Sequence, residues 1–155
     1  MRMNDLVNMV IPENITFFEE QENVNKESIL ETIAQRLYKN SFVKESYIEA
    51  IKERERIFPT GLNTTTFGIA IPHTDSKHVN KATIAVGILK QPVSFQEMGA
   101  EDIEVPVRIV FMLAIKEPDK QLETLQSVIS LIENEEKMNA LVHSKNESDV
   151  IQLLN

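Results

Sequence analysis

The chain has no cysteine among its 155 residues, which excludes disulfide frameworks, thiolate metal sites and cysteine nucleophiles within it. It also has no apolar run approaching the length of a membrane span. The opening MRMNDLVNMVIPEN carries one arginine but neither the continuous apolar core nor the small-residue cleavage site of a secretory leader. The expected compartment is therefore the cytoplasm, with no direct membrane insertion. Lysine and arginine number 16 against 24 acids, a net charge of -8. Interspersed this way they form no basic stripe to neutralise a nucleic-acid backbone, so nucleic acid is not an expected partner. Such acidity favours solubility and suits a basic protein partner, although a solvated surface accounts for any single Glu or Lys equally well. No polar low-complexity tract and no internal repeat interrupts the chain. With 42% hydrophobic and 26% charged residues, the composition is that of a globular protein, and residues 1–155 fit one domain large enough to bury its own core.

What the sequence does contain is centred on residues 60–75, TGLNTTTFGIAIPHTD. Phe67, Ile69 and Ile71 alternate with Gly68 and Ala70, the period of a strand, and Pro72 ends the ladder by removing a donor. His73 is thereby held at a strand end. Thr60, Thr64, Thr65, Thr66 and Thr74 surround it in sequence with hydroxyls able to donate to phosphate-like oxygens. A neutral imidazole is a nucleophile able to form a covalent intermediate. Pattern alone leaves the alternative open, since a histidine after a proline in a turn is commonly an ordinary polar loop residue.

Segments 6–11 and 15–18 read as short extended pieces. Asn25 or Ser28 can cap a helix with Ile29, Leu30, Ile33, Leu37 and Tyr38 at helical spacing, ending near Asn40. A second amphipathic helix, with Tyr47, Ile48 and Ile51, stops before Pro59 because the residue preceding proline avoids helical geometry. Arg54 lies on its last turns, where the helix dipole favours a cation. Beyond Asp75 and His78, the alternation of Ile84, Val86 and Ile88 marks a strand over 82–89, with Gly87 suited to close backbone packing. Residues 91–99 are expected to form a connecting loop, and 105–115, the most apolar run, a buried central strand. Pro118 suits the first turn of a helix reaching about residue 134, with Leu122, Leu125, Ile129 and Ile132 on one stripe. Two short helices close the chain. Strands alternating with helices imply an α/β fold, a three-layer domain with a mixed β-sheet flanked by helices on both faces. If the strands ending at Ile71 and Ile115 are parallel neighbours, His73 and Gln121 meet at the carboxyl edge of that sheet.

The string GIAIPHTD, preceded by RERIFPTGL and followed by HVNKATIAVG, resembles the IIA components of the bacterial sugar phosphotransferase system, mannitol and fructose superfamily. Arg54 and Glu55 fit the family's Arg-Glu pair, 59–61 its turn, and 110–125 its buried strand, loop and helix. The resemblance implies that His73 takes a phosphoryl group from the general carrier HPr on Nε2 and passes it to a sugar-specific IIB partner, linked to a membrane IIC protein. It implies no cofactor. Arg54 would screen phosphoryl charge, with Thr60, Thr66 and Thr74 as donors. Where many family members carry a second histidine, this chain has Gln121, which can donate but carries no charge. Gln121 and HTDSKHV look more like galactitol-type IIA proteins, and His78 is a candidate substitute for the missing imidazole. Three other readings stay open: a metal site on His73, Asp75 and His78, a regulatory module switched by phosphorylation, and a purely structural interaction domain.

Overall fold

The computed structural model describes residues 6, 8–19 and 24–155. Residues 1–5, part of the stretch read for a leader, lie outside the described residues. Among the described residues, five strands form one mixed sheet: β1 (Ile15–Phe18), β2 (Gly61–Asn63), β3 (Gly68–Ala70), β4 (Thr83–Glu97) and β5 (Ala100–Ala114). β4 and β5 make a long antiparallel hairpin. β1 lies parallel to β4, β3 parallel to β5, and β2 antiparallel to β3. Gly61 of β2 also pairs with Glu97 at the far end of β4.

Helices cover both faces, as expected. On one side lie α1 (Lys26–Lys39) and α2 (Ser46–Ile57), and on the other α3 (Pro118–Ile132), α4 (Glu135–Val142) and α5 (Glu147–Leu154). Strand alternation sorts the core between them. Ile109, Phe111 and Leu113 of β5 pack with α3, α4 and α5, whereas Val110, Met112 and Ala114 face α1 and α2. α1 opens on a capping box in which Asn25 and Ser28 satisfy each other's amides at 2.9 Å. Gly87 allows α1 to approach, since a Cβ there would stand 2.9 Å from Ile33 Cδ1. Among the described residues, no helix is long and apolar enough to cross a membrane.

Four expectations need correction. Residues 91–99 do not form a loop. β4 runs on to Glu97, and the hairpin turns at Met98 and Gly99, whose φ of +77° favours glycine. The misreading has a physical source in an irregular stretch of the ladder, where Ile88 pairs with Ile109 and Val93 with Val107. The five-residue step on β4 against two on β5 accommodates Pro92, and Arg108 Nε donates to the Leu89 carbonyl there at 3.0 Å. Leu6 and Asn8 are helical and Met9 is a turn, closed by the Met9 amide on the Leu6 carbonyl, so the first extended piece is confined to its end. Tyr38 (41% exposed) lies off the buried face of α1. Leu122 lies off that of α3, where Thr124, Val128 and Leu131 are buried instead.

Candidate functional site

β3 carries the chain to the sheet's edge, where Pro72 has no amide and offers only its carbonyl to the Leu113 amide, at 2.9 Å. His73 then bridges to Leu113 in parallel register. The Leu113 carbonyl is held in turn by the buried Tyr47 hydroxyl at 2.8 Å, so helix α2 and strand β5 both anchor this point. His73 is half-buried, and its Nδ1 lies 2.9 Å from the Ile71 carbonyl oxygen. A carbonyl oxygen only accepts, so Nδ1 carries the hydrogen of the neutral ring and Nε2 keeps its lone pair. Burial holds the ring's pKa below the usual histidine value. The Ile71 carbonyl opposes that shift, and the nearby Arg54 charge reinforces it.

The Ile71 backbone is itself fixed from its other side. Its amide donates to Thr60 Oγ1 at 3.1 Å. Thr60 is buried, its hydroxyl donating to Glu55 Oε1 and its amide to Glu55 Oε2, both at 2.8 Å. Burial pushes the Glu55 carboxyl up to about 7, against the lowering effects of the two Thr60 bonds and the more distant Lys26 charge.

Arg54, one residue earlier on α2, is exposed. Its guanidinium lies over the Phe58 ring at 4.3 Å from the centroid, and it forms no ion pair among the described residues. Across the edge, Gln121 on the first turn of α3 donates to the Thr74 carbonyl at 2.8 Å. The parallel pairing of β3 and β5 thus brings His73 and Gln121 to one edge, as the sequence reading required. Thr74 is buried, and its hydroxyl has no hydrogen-bond partner among the described residues. Ile57, Phe58 and Leu122 are exposed on the segments flanking this edge.

Not every candidate gathers here. Thr66 precedes β3 while His73 follows it, a separation of about 20 Å at strand rise. Its hydroxyl engages Asn139 of α4, and the neighbouring Thr65 engages Glu135. Thr64 closes its own turn on the Phe67 carbonyl. Thr60 is committed inward to Glu55 and Ile71. His78 sits in a single 3-10 turn, Ser76–His78, with Nδ1 2.8 Å from Ser46 Oγ at the start of α2. Among the described residues no group of three or more His, Cys, Asp and Glu side chains could hold a metal ion, against the metal reading of His73, Asp75 and His78. Glu55 was legible only as half of a family pair, yet it continues the Ile48, Ile51 stripe at helical spacing, which marks it as inward-facing.

The family model described as phosphoenolpyruvate-dependent sugar phosphotransferase system, EIIA 2, matches residues 9–155. The transcriptional regulator ManR of Bacillus subtilis is 31% identical over 105 residues, 68% of this chain but 15% of its own length. The galactitol-specific EIIA component of Escherichia coli K12 is 25% identical over 137 residues, covering 88% of this chain and 87% of its own. The structure of an Escherichia coli complex of enzyme IIA-mannitol with phosphorylated enzyme IIB-mannitol superimposes with a TM-score of 0.75 at 24% identity, over 92% of this chain and 94% of that one, a likeness of fold. The chain belongs to the EIIA type 2 family of the sugar phosphotransferase system.

Proposed function

From that membership we propose that the protein, acting as one domain over residues 1–155, is a cytoplasmic phosphocarrier whose reactive atom is His73 Nε2. The observation that carries the reading is the Nδ1 contact with the Ile71 carbonyl, which leaves Nε2 as the ring's nucleophile. In the forward step the Nε2 lone pair attacks the phosphorus of a phosphohistidine on HPr. The donor's P–N bond breaks, and its electron pair stays on the donor ring. His73 keeps its Nδ1 hydrogen throughout and then becomes the leaving group, passing the phosphoryl group to IIB.

Phosphoryl transfer depends on positioning and charge stabilisation more than on acid-base chemistry. Arg54 supplies the cation whose charge acts on the ring. The Thr74 hydroxyl and the remaining Gln121 N–H supply neutral donors. Exposed Ile57, Phe58 and Leu122 give the site an apolar rim suited to protein partners. A IIB partner is supported by the IIA–IIB complex of the same fold, and a galactitol-type or related polyol pathway by the galactitol relative that matches along most of its length. The link to a membrane IIC protein is indirect, through IIB.

A regulatory role is the second reading, favoured by the likeness to ManR. In it the same phosphohistidine would control a protein partner. Incubation with phosphoenolpyruvate, enzyme I and HPr should add one acid-labile phosphoryl group to the parent and none to His73→Ala. Absence of labelling under conditions that phosphorylate a control IIA would refute the carrier reading. Discharge by a IIB protein separates transport from regulation.

A further inference from the structure

Glu55 is the only acidic or basic residue buried among the described residues. A buried carboxylate is unfavourable, and breaking even with an apolar replacement is common, so stability is a poor reason to keep one. No described cation bonds to it. Both of its oxygens go to Thr60.

The register shows what that arrangement does. β2 and β3 pair as far as Gly61 with Ala70, so the next rung of the ladder would join residues 60 and 71. Backbone pairing stops there, and the Thr60 hydroxyl oxygen receives the Ile71 amide instead. Glu55 Oε1 accepts the hydroxyl's hydrogen bond, which directs an oxygen lone pair at that amide. We infer that Glu55, acting through Thr60, is a positioning residue for His73: it completes the last rung of β3, so fixing the Ile71 carbonyl that holds the His73 ring with its hydrogen on Nδ1. The chain of contacts is continuous, at 2.8, 3.1 and 2.9 Å. Removing the acceptor frees the hydroxyl to rotate. The buried Ile71 amide then loses its fixed partner, and the carbonyl on the same residue loses its fixed direction.

The inference rests on the phosphocarrier reading for its kinetic arm only. Glu55→Gln replaces one of the two accepting oxygens by an NH2 donor, so the Thr60 amide and hydroxyl no longer each have their own acceptor, while Thr60→Val removes the hydroxyl and Thr60→Ser retains it. The tautomer of neutral His73 is read from its ring nitrogen shifts by NMR. Phosphorylation by phospho-HPr is read as kcat and KM per folded molecule. In the parent the hydrogen resides on Nδ1. In Glu55→Gln and Thr60→Val the Nε2–H tautomer should become populated, with Thr60→Ser close to the parent. Phosphorylation should slow roughly 10- to 100-fold at unchanged KM, the range for groups that orient metal-bound histidines from behind. Should Glu55→Gln not fold, the two Thr60 variants decide by the same readouts. An unchanged tautomer in folded variants overturns the inference, whatever their stability. A shifted tautomer in a protein whose parent takes no phosphoryl group on His73 supports the positioning role and overturns the carrier reading instead.

Discussion

Replacing Glu55 by glutamine should change how stability depends on pH, and by an amount the structure sets. In the unfolded chain this carboxyl titrates near 4.5, and in the fold burial pushes it up to about 7. A raised value means that the folded protein holds the proton more tightly than the unfolded chain. The contribution to stability is thus full below about 4.5, declines as pH rises, and is lost above about 7. The interval between the two values corresponds to about 3 kcal/mol, taken as an order of magnitude. A glutamine amide has no such titration, so urea unfolding of the parent and Glu55→Gln in matched buffers isolates this group, because carboxylates elsewhere cancel in the difference. From about pH 4 to about pH 8 the parent should lose about 3 kcal/mol relative to the variant. A difference that stays constant across that range would refute the reasoning, since it would mean that Glu55 ionises in the fold as easily as in the unfolded chain.

Gly68→Ala places a Cβ 2.1 Å from Val105 Cγ1, on a fully buried residue of the neighbouring strand. It should cost about 1–3 kcal/mol of unfolding free energy, and adding Val105→Ala should relieve the clash. Full additivity of the two substitutions would count against direct contact. Arg54→Gln removes the one cation that lowers the His73 pKa, so the ring's titration by NMR should move upward. Because Arg54 is exposed and stacked on Phe58 alone, stability should fall by only about 0.5–1 kcal/mol, while phosphoryl transfer slows roughly a hundredfold. An unmoved His73 titration would place the guanidinium elsewhere in solution.

The layered α/β architecture was legible because its signals are local and repeated. Ile84, Val86 and Ile88 alternate, Ile29, Ile33 and Leu37 recur at helical spacing, and prolines mark the ends. The errors fell where a local pattern has two structural solutions. Pro92 within 91–99 looked like a break, yet β4 absorbs it as an irregularity because β5 supplies partners on both sides of it. Leu122 fits the stripe by spacing, but α3 turns Thr124 and Val128 inward and leaves Leu122 exposed.

The candidate site divides along the same line. His73 and Gln121 could be brought together in advance, since one assumption, parallel pairing of the strands before them, suffices. The threonines could not be sorted that way. Nearness in sequence placed Thr66 beside His73 although the length of β3 lies between them, while Thr60, thirteen positions before the histidine, reaches it through Ile71. What separates the two is the antiparallel register of β2 and β3, which sets residue 60 opposite residue 71 and sends residue 66 to the far end. The same register explains the acid at position 55. A threonine standing in for a backbone rung needs an acceptor for its hydroxyl hydrogen, and Glu55 on the last turn of α2 supplies it. The buried carboxylate therefore follows from where β2 stops pairing, a property of two strands that no single stretch of sequence contains.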